Sequence, residues 1–243
     1  ILTGTHLGAY GSDRGNSRAL TQLMKDLTEL EELKRVRLSS IEGTEIDQGI
    51  MELIAEEDMF CPHLHLPLQS GSNQILKAMN RPYTLEDFKE TTAELRKKIP
   101  NLAITTDVIV GFPGETEATF AETLAAVKEI GFSKVHVFPY SAREGTPAAE
   151  MKQLNGNLVK EYSKKLRLVN EALMLDYQKE FIGQEKEVLI EEVRDHSTDL
   201  LTGYTDNYLK VLVDGPDNLK NELVKVKLEK SIDSYHIKGK ITK

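Results

Sequence analysis

Strand-like and helix-like segments alternate along the first 150 residues, and this alternation narrows the fold more than any other feature of the chain. Residues 1–5, 35–40, 63–68, 102–110 and 133–140 read as short strands, 102–110 being rich in β-branched residues. Between them, apolar residues recur every three or four positions: Leu20, Leu23, Met24, Leu27 and Leu30 within 17–30, and Ile46, Ile50, Leu53 and Ile54 within 45–55. A short helix carrying Ile75, Leu76 and Met79 and longer ones over 84–98 and 116–130 follow. Thr84, with Asp87 three residues on, is an N-cap signature, and Pro100 marks that helix's end. Strands separated by helices of this length make βαβ units, and so a parallel sheet or barrel.

The pattern breaks over 147–157, and 158–181 reads as one long helix with Tyr162, Leu166, Val169, Leu173 and Tyr177 at helical spacing. Beyond Gly183 the texture becomes five short strand-like runs, 186–191, 200–205, 208–213, 223–228 and 235–241, separated by turn residues such as Asp206-Asn207 and Asp214-Gly215-Pro216. That spacing suggests a small all-β barrel, an architecture used for oligonucleotides. The expected domains are 1–157, a connecting helix over 158–182, and 183–243.

Composition bounds the chemistry. Cys61 is the one cysteine among 243 residues, which excludes an internal disulfide and any cluster held by several thiolates of this chain. A formal net charge of -8 argues against bulk electrostatic binding of nucleic acid. The charge is uneven, however: residues 220–243 hold seven lysines against Glu222, Glu229 and Asp233. No apolar run approaches the ~20 residues of a membrane span, so no membrane association and a cytoplasmic location are expected. The chain opens on Ile1, directly in strand-like sequence, which suggests a piece of a longer protein.

Ligands of parallel α/β proteins sit at the carboxyl ends of the strands. Here each strand-like run ends in polar or glycine-rich residues: Thr3-Gly4-Thr5-His6, Ser39-Ser40-Ile41-Glu42, Gln69-Ser70-Gly71-Ser72, Gly111-Phe112-Pro113-Gly114-Glu115 and Tyr140-Ser141. Five such clusters on one rim favour a small polar ligand. Gly111 and Gly114 suit a tight turn or a close approach, and Glu115 a first-turn acid at the positive end of the next helix. No Gly-Lys-Ser/Thr follows, so this is not a P-loop. His63 and His65 share a strand face without a third ligand at useful spacing and read as structural histidines; no metal site is expected. Cys61 reads as buried packing. Arg81 and Arg143 lie in loop-like stretches and suit bidentate clamping of a carboxylate or phosphate.

Four long segments in order, His63-Leu-His-Leu-Pro-Leu-Gln-Ser-Gly-Ser72, Asn80-Arg-Pro-Tyr-Thr84, Asp107-Val-Ile-Val-Gly-Phe-Pro-Gly-Glu-Thr116 and Phe138-Pro-Tyr-Ser-Ala-Arg-Glu-Gly-Thr-Pro-Ala-Ala149, resemble the radical S-adenosylmethionine methylthiotransferases. The C-terminal segment is similar to that family's TRAM domain, a small RNA- or substrate-binding barrel. Leu2-Thr-Gly-Thr-His-Leu-Gly-Ala-Tyr-Gly11 and Arg37-Leu-Ser-Ser-Ile-Glu42 look most like the branch acting on N6-threonylcarbamoyladenosine beside the tRNA anticodon. Branches acting on N6-isopentenyladenosine or a ribosomal protein are the alternatives, and a non-catalytic RNA-binding module is the alternative of another class.

The resemblance implies a partial (β/α) barrel comprising strands 2 to 6 of six. It further implies S-adenosylmethionine, two [4Fe-4S] clusters whose cysteine ligands this chain lacks, an electron donor, and tRNA, bound at its anticodon stem-loop, as partner. A 5'-deoxyadenosyl radical would abstract hydrogen from the adenine before sulfur and methyl are added. Without the thiolates, the 243 residues alone are expected to be inactive. By the same resemblance Gly4, Ser39, Ser40, Glu42, Gln69, Ser70, Gly111, Gly114, Glu115 and Tyr140 are the expected cofactor-binding set, with Gly111 allowing close approach of the adenosyl group. Ser40, Glu42 and Gln69 would hydrogen-bond the methionine or ribose end. Arg81, Arg143, Lys225, Lys227, Lys238 and Lys240 are the expected RNA contacts. No catalytic residue is assigned.

Overall fold

In the computed structural model, residues 1–16 and 18–242 are described. Ser17, the first residue of an expected helix, and Lys243, one of the seven C-terminal lysines, lie outside them. The chain divides into two compact units, Ile1–Asn170 and Glu171–Lys243. The division falls inside the helix Gly156–Lys179.

The first unit carries α1 (Ala19–Thr28), α2 (Gln48–Glu56), β1 (His63–His65), α3 (Asn73–Ala78), α4 (Leu85–Lys98), β2 (Ala103–Val110), α5 (Glu117–Ile130), β3 (Lys134–Pro139) and α6 (Pro147–Glu150); α7 (Gly156–Lys179) begins in it. β1, β2 and β3 form a parallel sheet in that order. The helices start where local chemistry dictates. Thr84 accepts from the Asp87 amide and Asp87 returns the bond, a complete capping box, and Thr116 accepts from the Thr119 amide.

The first two expected strands need correction. Residues 1–5 and 35–40 lie alongside the sheet but pair only at single parallel bridges, Leu2 with Leu38, Val36 with Phe60 and Ser40 with His65. The backbone bonds alternate, Leu2 N–H to Arg37 O and Ser39 N–H to Leu2 O, both 2.9 Å, without the consecutive pairs that make a ladder. The parallel order of five segments is nonetheless that of the expected partial barrel.

One face of β2 is fully enclosed, at Ile104, Val108 and Val110, as a strand covered by helices requires, whereas the other is buried at Ala103 and Thr105 and partly open at Asp107 and Ile109. Tyr162 of α7 stacks on Phe120 of α5, centroids 4.0 Å apart, and Asn170 Oδ1 accepts from the Val135 amide at 2.6 Å.

The second unit is a closed five-stranded barrel of β4 (Glu185–Arg194), β5 (Leu201–Thr205), β6 (Lys210–Val213), β7 (Leu223–Ser231) and β8 (Ile237–Ile241), ordered β4-β5-β6-β8-β7. Strand alternation puts Val188, Ile190, Val211, Val213, Val224, Val226, Leu228 and Ile237 into one core with Phe181. Gly203 and Gly239 are required where the barrel is tightest. A Cβ on Gly203 would stand 2.5 Å from the Leu189 carbonyl oxygen, and one on Gly239 2.3 Å from a Val226 methyl. No helix among the described residues is long and apolar enough to cross a membrane.

Candidate cofactor mouth and lysine face

Two adjoining cavities open in the first unit, where the sheet's strands end. The larger, about 640 Å³, is lined by Gln69, Arg81, Asp107, Phe112, Tyr140 and Arg143 among others. The smaller, about 270 Å³, is lined by Thr5, His6, Ser40, Glu42, Glu45, Gln69 and Arg81. Gln69 and Arg81 belong to both and join them into one mouth.

Backbone geometry explains Gln69. Its amide donates to Asp107 O at 2.8 Å while its own carbonyl accepts from the Ile109 amide at 2.9 Å, which holds the residue at φ 65°. A left-handed conformation is uncommon for a residue with a Cβ and persists only where the surroundings enforce it. Ser70 follows but turns away: buried, its hydroxyl lies 3.3 Å from that of Thr123. Gly71 is tight against α5, since a Cβ there would meet Thr123 Cα at 2.7 Å. The Gln-Ser-Gly-Ser turn thus aims one side chain at the mouth and uses the rest to dock on a helix.

Arg81, expected among RNA contacts, is a wall of the mouth. One of its terminal nitrogens lies 3.5 Å from Glu42 Oε1, and its Nε is buried without a hydrogen-bond partner. Tyr140 lies edge-on to Phe112, centroids 5.2 Å apart, and its buried hydroxyl also lacks a partner. His6 bonds Glu45 at the smaller cavity. Arg143, likewise expected to touch RNA, lines the larger cavity. Ser39 is half-buried, and Gly4 and Gly114 are exposed.

Two contacts mark the glycine-rich segment. At Gly111, φ +79°, a Cβ would lie 2.5 Å from a Val159 methyl, so the glycine makes room for α7. Glu115 precedes the helix and is 5% exposed. Its Oε2 accepts from the Gly111 amide at 2.6 Å, and burial outweighs that bond and pushes its carboxyl up to about 7. It is a loop-tying acid, not a solvated first-turn charge.

The histidines also gain partners from other strands. His63 Nε2 and His65 Nδ1 both reach Thr105 Oγ1, at 3.1 and 2.9 Å. His65 Nε2 lies 3.2 Å from Asp107 Oδ2, and His136 adds a ring whose centroid is 5.7 Å from that of His65. Burial, followed by Arg37, holds His63 well below the usual histidine range; burial and Lys134 lower His136. Tyr83, its hydroxyl donating to Pro67 O at 3.0 Å, is pushed up to about 12 by burial. Asp107 stands inside a quoted motif, yet nothing in linear order indicated that it would meet His65 and His136. Only the register Asp107↔His136 brings them together.

On the barrel, Lys225, Lys227, Lys230, Lys238 and Lys240 are exposed along β7 and β8. Register sorts them. Lys227 faces Glu185 and Lys225 faces Glu187 across β4, whereas Lys227↔Lys240 and Lys230↔Lys238 are like-charged pairs. Such pairs oppose sheet formation, so this face gives up stability to hold positive charge. Elsewhere on the barrel, Tyr204 and Tyr208 stack at 5.0 Å, with Lys210 opposite Tyr204.

Residues 9–127 match the Radical SAM superfamily and 179–235 the TRAM domain. The chain is 42% identical over 239 residues to threonylcarbamoyladenosine tRNA methylthiotransferase MtaB of Bacillus subtilis, covering 97% of the chain and 53% of the relative. It is 38% identical over 229 residues to the tRNA-2-methylthio-N(6)-dimethylallyladenosine synthase of Desulfitobacterium hafniense, covering 94% and 51%. The chain spans about half the length of the curated relatives it matches. Among solved structures, coproporphyrinogen III oxidase from Escherichia coli, described as a radical SAM enzyme, superposes with a TM-score of 0.54 at 14% identity, over 89% of this chain and 52% of that one. That likeness concerns the fold.

S-adenosylmethionine and iron-sulfur clusters are implied by this superfamily, and the residues fit the two differently. The mouth fits S-adenosylmethionine in size and polarity, with two buried polar atoms in its wall awaiting partners. A cluster does not fit, because the one cysteine, Cys61, is buried and these residues supply no set of thiolates. The parallel order of the sheet, the polar mouth where its strands end and the closed barrel coincide with the two matched regions: the chain carries Radical SAM and TRAM domains and is similar over nearly its whole length to tRNA methylthiotransferases.

Proposed function

We propose that this chain is the cofactor-cradling and RNA-binding part of a tRNA methylthiotransferase that adds a methylthio group to C2 of N6-threonylcarbamoyladenosine beside the anticodon. The observation that carries the reading is the mouth shared by Gln69 and Arg81, walled by Glu42, Asp107 and Tyr140. Similarity to a relative named for that modified adenosine supports the substrate.

When bound, S-adenosylmethionine supplies the radical chemistry and the methyl group. The chain's own residues bind and orient. Arg81, already beside Glu42, has capacity to clamp the methionine carboxylate, and Asp107 and Gln69 offer polar atoms for ribose hydroxyls. Phe112, with its edge-on partner Tyr140, presents an aromatic face to an adenine. Glu115 holds the Gly111 amide and so the loop beneath. None of these is assigned a proton-transfer role. The 243 residues alone bind without turning over, since the cluster thiolates and the electron donor come from elsewhere.

Lys238, Lys240 and Lys230 provide phosphate contacts. The opposed lysine pairs support this, because a polyanion relieves the repulsion. Lys225 and Lys227 contribute less, being faced by glutamates.

The reading is tested in two steps. Calorimetric titration of the chain with S-adenosylmethionine should show one site, weakened at least ten-fold by Arg81→Ala; no heat, or an unaffected variant, discards the mouth. Mass spectrometry of tRNA nucleosides from cells with and without the full-length gene should show loss of the methylthio form of threonylcarbamoyladenosine. Loss of the dimethylallyladenosine product instead moves the substrate to that of the second relative.

A further inference from the structure

We infer that His65, Asp107 and His136 form a three-ligand site for a borderline divalent cation of the zinc class, built on three adjacent strands beneath the mouth. The inference does not depend on the methylthiotransferase reading.

The donors come from β1, β2 and β3, one from each. Asp107 and His136 are direct partners in the parallel register, and His65 sits beside Thr105, two residues along the same face of β2 as Asp107. One ligand atom from each of the three lies within 4.8 Å of the others, and the shortest separation, His65 Nε2 to Asp107 Oδ2, is 3.2 Å. An ion holding N and O ligands at about 2.0–2.2 Å keeps them roughly 3–4 Å apart, so small side-chain rotations close the set. Strands, unlike loops, hold their backbone during that adjustment.

Two imidazoles and one carboxylate are a donor set for zinc, cobalt, nickel or iron rather than for calcium or magnesium, which prefer oxygen. Thr105 supplies the outer contact that such sites use: its hydroxyl lies 2.9 Å from His65 Nδ1, so that nitrogen donates to it and Nε2 is left to bind. Asp107 is also in the wall of the larger cavity, which gives an ion a path in and leaves coordination positions for water or a ligand. Lys134, two residues from His136 on β3, adds a positive charge that weakens the affinity for a cation.

The test uses the 243-residue chain, freed of metal with a chelator and titrated with Co(II) as the spectroscopic probe. One equivalent should bind, with visible d–d absorption that Zn(II) abolishes and without the near-ultraviolet band of a thiolate ligand. Asp107→Asn and His136→Gln should each weaken Co(II) at least ten-fold, and Thr105→Val about ten-fold, with far-ultraviolet circular dichroism unchanged. His236→Gln, on the barrel, should leave affinity as it is. Absence of d–d absorption overturns the proposal, as does a thiolate band pointing to Cys61 or binding that survives both ligand substitutions. If one variant fails to fold, the other and Thr105→Val still decide.

Discussion

The two units reach order by different routes. In the barrel every strand has a partner on both sides and the core is an unbroken set of aliphatic side chains with Phe181, so its polar backbone is satisfied within itself. In the first unit a three-stranded ladder is flanked by segments bridged at single positions. Its buried interior admits His63 and Glu115. A sheet closed on itself has little room for chemistry, whereas a sheet that ends in polar loops leaves a mouth. The price of that mouth is strain and burial: a left-handed Gln69, a buried Glu115, polar atoms without partners.

Equal deletions should therefore have unequal effects. Leu228→Ala removes a fully buried barrel side chain and is expected to cost about 2–5 kcal/mol. Leu2→Ala, at a half-buried single bridge, should cost less than about 1 kcal/mol. Urea unfolding followed with a probe in each unit measures both, and equal costs would break the comparison. Next comes Gly111→Ala, where positive φ and the Val159 methyl act together, at about 1–3 kcal/mol. Expansion around Val159 without loss of stability would favour a ligand-approach role for this glycine.

Glu115 and the barrel's hydrogen-bonded aspartates should also titrate in opposite senses. Glu115 is raised to about 7 by burial, so the folded state binds its proton more tightly than the unfolded one. Its contribution is present below the ordinary carboxylate value of 4.5 and is lost as pH rises towards about 7. On the barrel, hydroxyls of Ser197 and Thr198 hold Asp195 well below the usual range, and Arg194 and Lys220 lower Asp217. Those contributions are present above about 4 and vanish in acid. Glu115→Gln should flatten the stability profile between pH 5 and 8 and leave the acid limb unchanged. A profile that keeps its slope would show that Glu115 is ionised in the fold.

The smallest effects belong to the lysine face. Lys238→Gln and Lys240→Gln should each weaken RNA binding and lower the salt slope by about one, measured by fluorescence anisotropy with a tRNA. Lys225→Gln and Lys227→Gln, opposite Glu187 and Glu185, should do less. Four equal effects would mean that cross-strand register does not sort the charges.

Local chemistry was legible wherever it is short-range. The capping box at Thr84 and Asp87, the turn residues between barrel strands and the period-two burial of β7 each follow from neighbours in the chain. The expected strands at 1–5 and 35–40 were less so, because pairing depends on what lies alongside. Of the expected mouth residues, Ser40, Glu42, Gln69 and Tyr140 do line it, since strand ends point one way in a parallel sheet. The partners of Ser70, Gly111 and Glu115, which are Thr123, Val159 and the Gly111 amide, were not legible, because a side chain's packing is not a property of its motif.

The sequence by itself determined the alternation of strands and helices, the helix starts, the five short strands after Gly183 and the lack of cluster thiolates. These rest on periodicity, local hydrogen bonding and composition. Only the tertiary structure decided that Arg81 walls a cavity, that Val159 explains Gly111, that Glu115 is buried and that His65, Asp107 and His136 converge. Each depends on register or helix packing between residues distant in the chain, which no local pattern encodes.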